Sequence, residues 1–160
     1  MRRRHEQLAF AGSMHFVTLV AGIRGHWFVE SDVCEHLLNM FESYRSEFGL
    51  TCHAYVLMPD HLHVLLSQTE DGSLVARLVG EFKKWSSRSW HHSQFRRTTL
   101  WRRGYDDVPV PGSDAARTKV NYAHANPVRR GLVAHAEDYR WSSVHDYAGE
   151  SRGIVTVIPI

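Results

Sequence analysis

Residues 14–20, MHFVTLV, are apolar and partly β-branched, and the pattern predicts a first strand. After the loop GIRGHWF the period changes. Val33, Leu37, Leu38, Phe41, Tyr44 and Phe48 recur at helical spacing, so one face of a helix is expected to be buried. Ser31-Asp32 opens that helix, with Asp32 as the cap and Glu35 three residues on, in the manner of a capping box, and Gly49 is placed to end it. The stretch HAYVLMPDHLHVLL, His53 to Leu66, reads as two short apolar strands folded back about a tight Pro59-Asp60 turn. Proline presets φ at the first turn position and Asp suits the second. A polar turn, QTEDG, leads into a second helix from Ser73 to about Ser89, with Leu74, Leu78, Phe82 and Trp85 as its apolar stripe. Residues 91–100 are polar and carry no clear period. LWRRGYDDV predicts a strand or extended edge, because Pro109 and Pro111 prevent it from continuing as a central one. A third helix is predicted from Ser113 or Asp114 to about Asn126, where Pro127 is expected to stop it. DYRWSS then supplies aromatics that can pack across the domain, and GIVTVIPI reads as a loose strand or tail.

This order is an α+β plan, with helices on one face of an antiparallel sheet and the opposite face free for a ligand. A chain of 160 residues fits one domain, here expected over 1–148 with a tail at 149–160. Cys34 and Cys52 sit in apolar patterns without any C-x-x-C spacing, which suits reduced, buried thiols in a cytosolic protein. The apolar part of the N-terminal stretch is interrupted by Gln7, Ser13 and His15 and reads as strand rather than as a leader. No stretch approaches a transmembrane span, so no membrane partner is expected.

Net charge is only +2, but it is unevenly spread. Arg77, Lys83, Lys84, Arg88, Arg96, Arg97, Arg102 and Arg103 fall in a stretch with one acid, Glu81, and with Trp85, Trp90, Phe95 and Trp101 among them. Arg2, Arg3 and Arg4 form a second basic cluster. Basic groups interleaved with aromatics suit a nucleic-acid backbone with stacked bases, although a solvated helix face has the same charge pattern.

His61 and His63 follow the hairpin turn directly and are two apart on a strand, so their side chains leave the same face of the sheet. Two neutral imidazoles held that way are half of a divalent-metal site, or else the polar side of a half-buried strand. On the third predicted helix Tyr122 and Asn126 are four apart and share a face, with Lys119 one turn earlier.

HAYVLMPDHLHVLL, LWRRGY-x-D, NYAHANPVRRGLV and DYRWSS, in this order and at these separations, resemble the single-tyrosine HUH transposases, in particular the REP-associated tyrosine transposases of bacteria. The resemblance spans roughly residues 14 to 147. It implies a ferredoxin-like antiparallel sheet with the HUH pair, His61 and His63, on a central strand. It implies Tyr122 as the nucleophile, Asn126 as a third protein ligand, and Mg²⁺ or Mn²⁺ as the ion. The activity implied is cleavage and rejoining of single-stranded DNA beside a hairpin through a 5′-phosphotyrosine. The working unit would be a monomer or a homodimer in the bacterial cytoplasm, at the nucleoid. Arg2, Arg3, Arg4, Arg77, Lys83, Lys84, Arg88, Trp101, Arg102, Arg103 and Lys119 are the residues expected to touch DNA, with a solubilising tail as the alternative for Arg2, Arg3 and Arg4 and a core position as the alternative for Trp101. The alternatives are a hairpin-binding protein that keeps the fold without cleaving, and a metal-dependent hydrolase unrelated to DNA. The chain departs from the family pattern at VPVP after Asp107 and at Ala123.

Overall fold

The predicted first strand forms as β1 (Met14–Val20), and the amphipathic run after it as α1 (Ser31–Glu47). The histidine hairpin is β2 (Thr51–Met58) and β3 (His61–Ser67), followed by α2 (Leu74–Gln94), β4 (Asp106–Pro109) and α3 (Gly112–Arg129). A 3-10 turn at Ala136–Asp138 and a short helix, α4 (Val144–Tyr147), complete the order. The computed structural model describes residues 9–22, 25–94, 99–150 and 153–160, with the backbone alone at 91–94. The strands lie in the order β2-β3-β1-β4, every pair antiparallel. That arrangement is the ferredoxin-like β-α-β-β-α-β plan, and it puts β3 in the middle of the sheet.

Strand alternation divides the core in two. Val17, Leu19, Leu62, Val64 and Leu66 pack with Leu37, Leu38 and Phe41 of α1 and with Val75, Leu78, Val79 and Phe82 of α2. Phe41 and Phe82 meet edge to face at 5.6 Å. On the other side Phe16, Ala54, Val56, Met58 and Leu65 pack against Ala116, Val120 and Ala123 of α3. A bulge between Cys52 and Ala54 reverses the alternation of β2, so these two residues serve opposite cores.

The α+β class and the helices α1 and α2 on one face agree with the expectation. The opposite face is not free: α3 covers part of it. Its weak apolar period concealed this, because the buried side of α3 is made of two alanines, one valine, Asn126 and Pro127 rather than large aliphatics. Pro127 does not stop the helix either. It lies one turn from the end, where the missing N–H costs a single bond to the Ala123 carbonyl and the helix runs on to Arg129.

The capping box at the start of α1 does not form. Glu30 is the capping residue without a side-chain bond, Asp32 Oδ1 accepts from its neighbour's Val33 N–H, and Glu35 pairs with Arg140. Gly49 does close the helix, at φ +64°, with its N–H on the Ser46 carbonyl and the Leu50 N–H on that of Arg45. Residues 153–160 dock on the outer edge of β2. Val155 is buried in the α1/α2 core, and the Ile158 N–H donates to the Cys52 carbonyl at 2.9 Å. Cys34 and Cys52 are free and buried, and burial raises the Cys34 thiol to about 12. Among the described residues no helix is long and apolar enough to cross a membrane.

Candidate active site

The Pro59-Asp60 turn joins Met58 to His61, and the histidines then alternate with Leu62 and Val64. Both imidazoles leave the face covered by α3, with ring centres 4.5 Å apart. Each is held through Nδ1. Asp60 Oδ1 lies 2.6 Å from His61 Nδ1, and Thr18 Oγ1, on the neighbouring strand, lies 2.8 Å from His63 Nδ1. Ionised Asp60 only accepts, so His61 Nδ1 carries the proton and Nε2 keeps its lone pair. Arg130 binds the second oxygen of Asp60 at 3.1 Å. Burial works against the Asp60 carboxylate, but the His61 hydrogen bond and the Arg130 guanidinium outweigh it and hold its pKa below the usual range. Phe16 stacks on His63 at 5.1 Å.

Both rings are neutral. Burial, then the neighbouring His61 and Lys119, takes His63 down to about 3. Burial also lowers His61, with Asp60 pulling the other way and Arg130 reinforcing the fall.

Tyr122 and Asn126 come from α3, one turn apart, as their spacing required. The Tyr122 ring lies 5.5 Å from the His63 ring and meets Phe16 edge to face at 6.0 Å. Its side chain is 38 % exposed, so the phenol is neither in the apolar interior nor remote from the histidines. Asn126 is buried, with Nδ2 3.5 Å from His61 Nε2. A half-turn of the amide exchanges that nitrogen for its oxygen. Ala123 is fully buried between these two, and its small side chain lets α3 lie close to the sheet.

Among the described residues no three His, Cys, Asp or Glu side chains gather as a metal site. The donor set here is two imidazoles completed by a carboxamide, and it fits a divalent ion. Both imidazoles are neutral, His61 presents an unprotonated Nε2, and Asp60 braces it from behind as carboxylates commonly brace metal-binding histidines.

Comparison with known proteins gives the family. The family model described as "Transposase IS200 like" matches residues 9–126, a span containing both histidines, Tyr122 and Asn126. The chain belongs to the IS200-like transposase family. Among its relatives is a provisionally named REP-associated tyrosine transposase of Haemophilus influenzae, 21 % identical over 150 residues, covering 84 % of this chain and 81 % of that one. A solved REP-associated tyrosine transposase bound to a REP hairpin superposes with a TM-score of 0.76 at 19 % identity, over 94 % of this chain and 91 % of that one. A provisionally assigned transposase from Deinococcus radiodurans R1 gives 0.54 at 19 % identity, over 73 % of this chain and 92 % of that one.

In this IS200-like transposase the described basic residues among those singled out from the sequence do not form one surface. Lys119 lies beside the site, its ammonium 5.0 Å from the Phe16 ring. Arg77, Lys84 and Arg88 belong to α2, on the far side of the sheet from Tyr122. Arg77 covers Phe48, while Lys84 and Arg88 flank Trp85. Trp85, expected in the apolar stripe, is instead 40 % exposed, and Val75 and Val79 complete the buried face. Lys83 is committed to the backbone, donating to the carbonyls of Arg102 and Gly104 at 2.7 and 2.6 Å. Arg102 is exposed and pairs with Asp106, and Arg103 is exposed. Trp101, for which both a DNA contact and a core position were open, takes the second: it is buried in the α1/α2 core, its indole N–H donating to Ser86 Oγ at 2.8 Å. Arg2, Arg3, Arg4, Arg96, Arg97 and Phe95 lie outside the described residues.

Sequence reasoning did not assign a role at the site to Asp60, Thr18, Arg129 or Arg130. The position of Asp60 immediately before His61 was a usable signal. Thr18 is far off in sequence and carried none.

The buried histidines make stability depend on pH. Burial also takes His124, bonded to Ser143 Oγ, to about 4. An ordinary histidine titrates at about 6.5. As pH falls below that, the unfolded chain binds protons on His61, His63 and His124 that the folded chain does not. Their contribution is therefore intact above about pH 6.5 and is lost progressively toward the folded values near 4 and 3. Urea denaturation of the metal-free protein should show stability falling steadily from about pH 7 to pH 5. A flat profile over that range would contradict the buried neutral rings.

Proposed function

We propose that this chain is a metal-dependent endonuclease and strand transferase for single-stranded DNA, cutting beside a hairpin through a 5′-phosphotyrosine. The observation that carries the reading is the meeting of α3 with β3: an accessible phenol 5.5 Å from His63 and a carboxamide 3.5 Å from His61 Nε2. Hairpin DNA as the substrate is supported by the related transposase solved with a REP hairpin. An open site beside an exposed tyrosine also suits a polymer that passes through it.

His61, His63 and Asn126 would hold the divalent ion, Mg²⁺ or Mn²⁺. Two imidazoles and an amide favour Mn²⁺ over Mg²⁺, which prefers oxygen ligands. When bound, such an ion polarises a phosphoryl oxygen and neutralises charge that builds up there. Tyr122 supplies the nucleophile. Its phenolic oxygen forms a bond to phosphorus as the bond to the 3′ oxygen breaks, the phenol gives up its proton, and the departing oxygen gains one. The phosphodiester is exchanged for a phosphotyrosine ester, so another 3′-hydroxyl can reverse the step and join strands. Lys119 brings positive charge to the same edge of the site, where the anionic backbone must approach.

Asp60 is expected to matter through His61. Asp60→Asn keeps an acceptor near Nδ1 but removes the charge, and should weaken Mn²⁺ binding by about 10–100-fold. Calorimetric titration of the DNA-free protein reads this directly, and an unchanged affinity would dismiss the bracing role.

The function itself is tested by incubating the protein and Mn²⁺ with a hairpin that carries single-stranded flanks and a label at its 3′ end, the fragment a 5′-phosphotyrosine retains. A labelled band that survives denaturing electrophoresis is expected. Tight hairpin binding with no such band, whatever the metal, would leave a silent binding protein instead.

A further inference from the structure

Arg129 stands in the last turn of α3, exposed, with its guanidinium carbon 4.7 Å from the centre of the Tyr122 ring. Residues seven apart return to the same side of a helix, so the two side chains run alongside one another. The next residue, Arg130, is turned to Asp60, the carboxylate that braces His61. Consecutive arginines at the end of α3 thus meet the Tyr122 ring and the Asp60 carboxylate respectively. On its other sides the Tyr122 ring meets Phe16 and His63 edge-on, and Lys119 Nζ lies 6.0 Å from its centre.

We propose that Arg129 is a positioning residue for Tyr122, holding the phenol ring beside His63 through a cation–π contact. This rests on Tyr122 being the nucleophile. An exposed tyrosine has free rotamers open to it, and an in-line attack uses only one. A misplacement of about 1 Å at a reacting centre can cost on the order of 10²-fold in rate. A guanidinium against the ring face removes alternative rotamers without closing the site to DNA, and it places charge beside the ring that must approach an anionic phosphate. The competing explanation is that Arg129 only complements the negative end of the helix dipole. That role would affect the melting of α3 and leave the chemical step alone.

Two experiments separate these explanations. In the protein without DNA or metal, the δ-methylene protons of Arg129 should be shifted upfield by the Tyr122 ring current. The shift should persist in Tyr122→Phe and vanish in Tyr122→Leu. An unshifted Arg129 in the unmodified chain overturns the contact. In single-turnover adduct formation at saturating hairpin and Mn²⁺, Arg129→Gln should lower the rate by about tenfold or more, with hairpin affinity changed by less than about threefold. Arg129→Lys, which restores a cation but not the stacked guanidinium plane, should recover part of that loss. A wild-type rate in Arg129→Gln, a loss confined to affinity, or a lysine variant no better than glutamine would each overturn the positioning role. If the unmodified chain forms no adduct, the proposed function falls, while the resonance measurement still decides the contact.

Discussion

Tyr122→Phe is expected to remove the covalent protein–DNA adduct completely while leaving hairpin affinity and fold stability nearly unchanged. The ring contacts with Phe16, His63 and Arg129 all survive the substitution, because they involve the aromatic face and edge rather than the hydroxyl. Tyr122 is 38 % exposed rather than buried, so loss of its hydroxyl should change stability by no more than about 0.5 kcal/mol. What disappears is the only atom of that side chain able to bond to phosphorus. Denaturing electrophoresis of Mn²⁺-treated hairpin reads the adduct, and fluorescence anisotropy at several salt concentrations reads binding. The salt dependence counts the phosphates engaged and should be the same in both proteins. An adduct that persists in Tyr122→Phe would rule out this nucleophile. Nicked DNA without an adduct would show that water had taken its place in an otherwise competent site. Identical behaviour of Tyr122→Phe, His61→Ala and the unmodified chain would identify a binding protein.

The local rules worked where each residue's environment is set by its near neighbours. β1, α1 and the histidine hairpin follow from periods of two and 3.6 with well-placed Pro59 and Gly49, and a two-residue spacing is enough to send His61 and His63 to one face. The same logic put Tyr122 and Asn126 on one side of α3. Which face of the sheet α3 would cover was not available from its sequence. Its buried side is small and proline-containing, so its periodic signal is weak, and only the close approach that Ala123 permits reveals the packing. Polar side chains misled in the other direction. Lys83 reads as a DNA contact but donates to two loop carbonyls brought to it from 19 and 21 residues away. Asp60 reads as a turn residue, and it is one, but its carboxylate also has a distant partner in Arg130, which no local pattern encodes. Hydrogen bonds across the fold depend on tertiary placement, and a one-dimensional pattern records that only indirectly.

Trp101 shows the consequence most sharply, and Trp101→Ala is expected to be the most damaging core substitution among the residues first associated with DNA. Its neighbours in sequence, Arg102 and Arg103, are exposed, so charge and aromaticity together suggested a stacking platform. In the fold the indole lies 5.0 Å from Phe28 and 5.6 Å from Phe82, and only 2 % of the residue is exposed. The backbone is fixed there as well: Trp101 bridges Ala21, and the Arg102 N–H donates to the Val20 carbonyl at 2.7 Å. Truncation therefore leaves a cavity that the surroundings cannot readily close. It also leaves Ser86 Oγ, which donates to the Phe82 carbonyl, without the indole donor it accepts from. Large-to-small changes of this kind cost about 3–5 kcal/mol, which in a domain of this size lowers Tm by about 6–20 °C. Trp101→Phe fills most of the space and should lose much less. Hairpin affinity measured below the melting transition should be unaffected in both variants. By contrast, Arg88→Ala on exposed α2 should leave Tm within about 2 °C, since surface changes stay near 0.5 kcal/mol. A Trp101→Ala protein that melted like the unmodified chain yet released its hairpin would return the indole to the DNA-binding surface. At 2 % exposure between Phe28 and Phe82, the indole offers no face on which a base could stack.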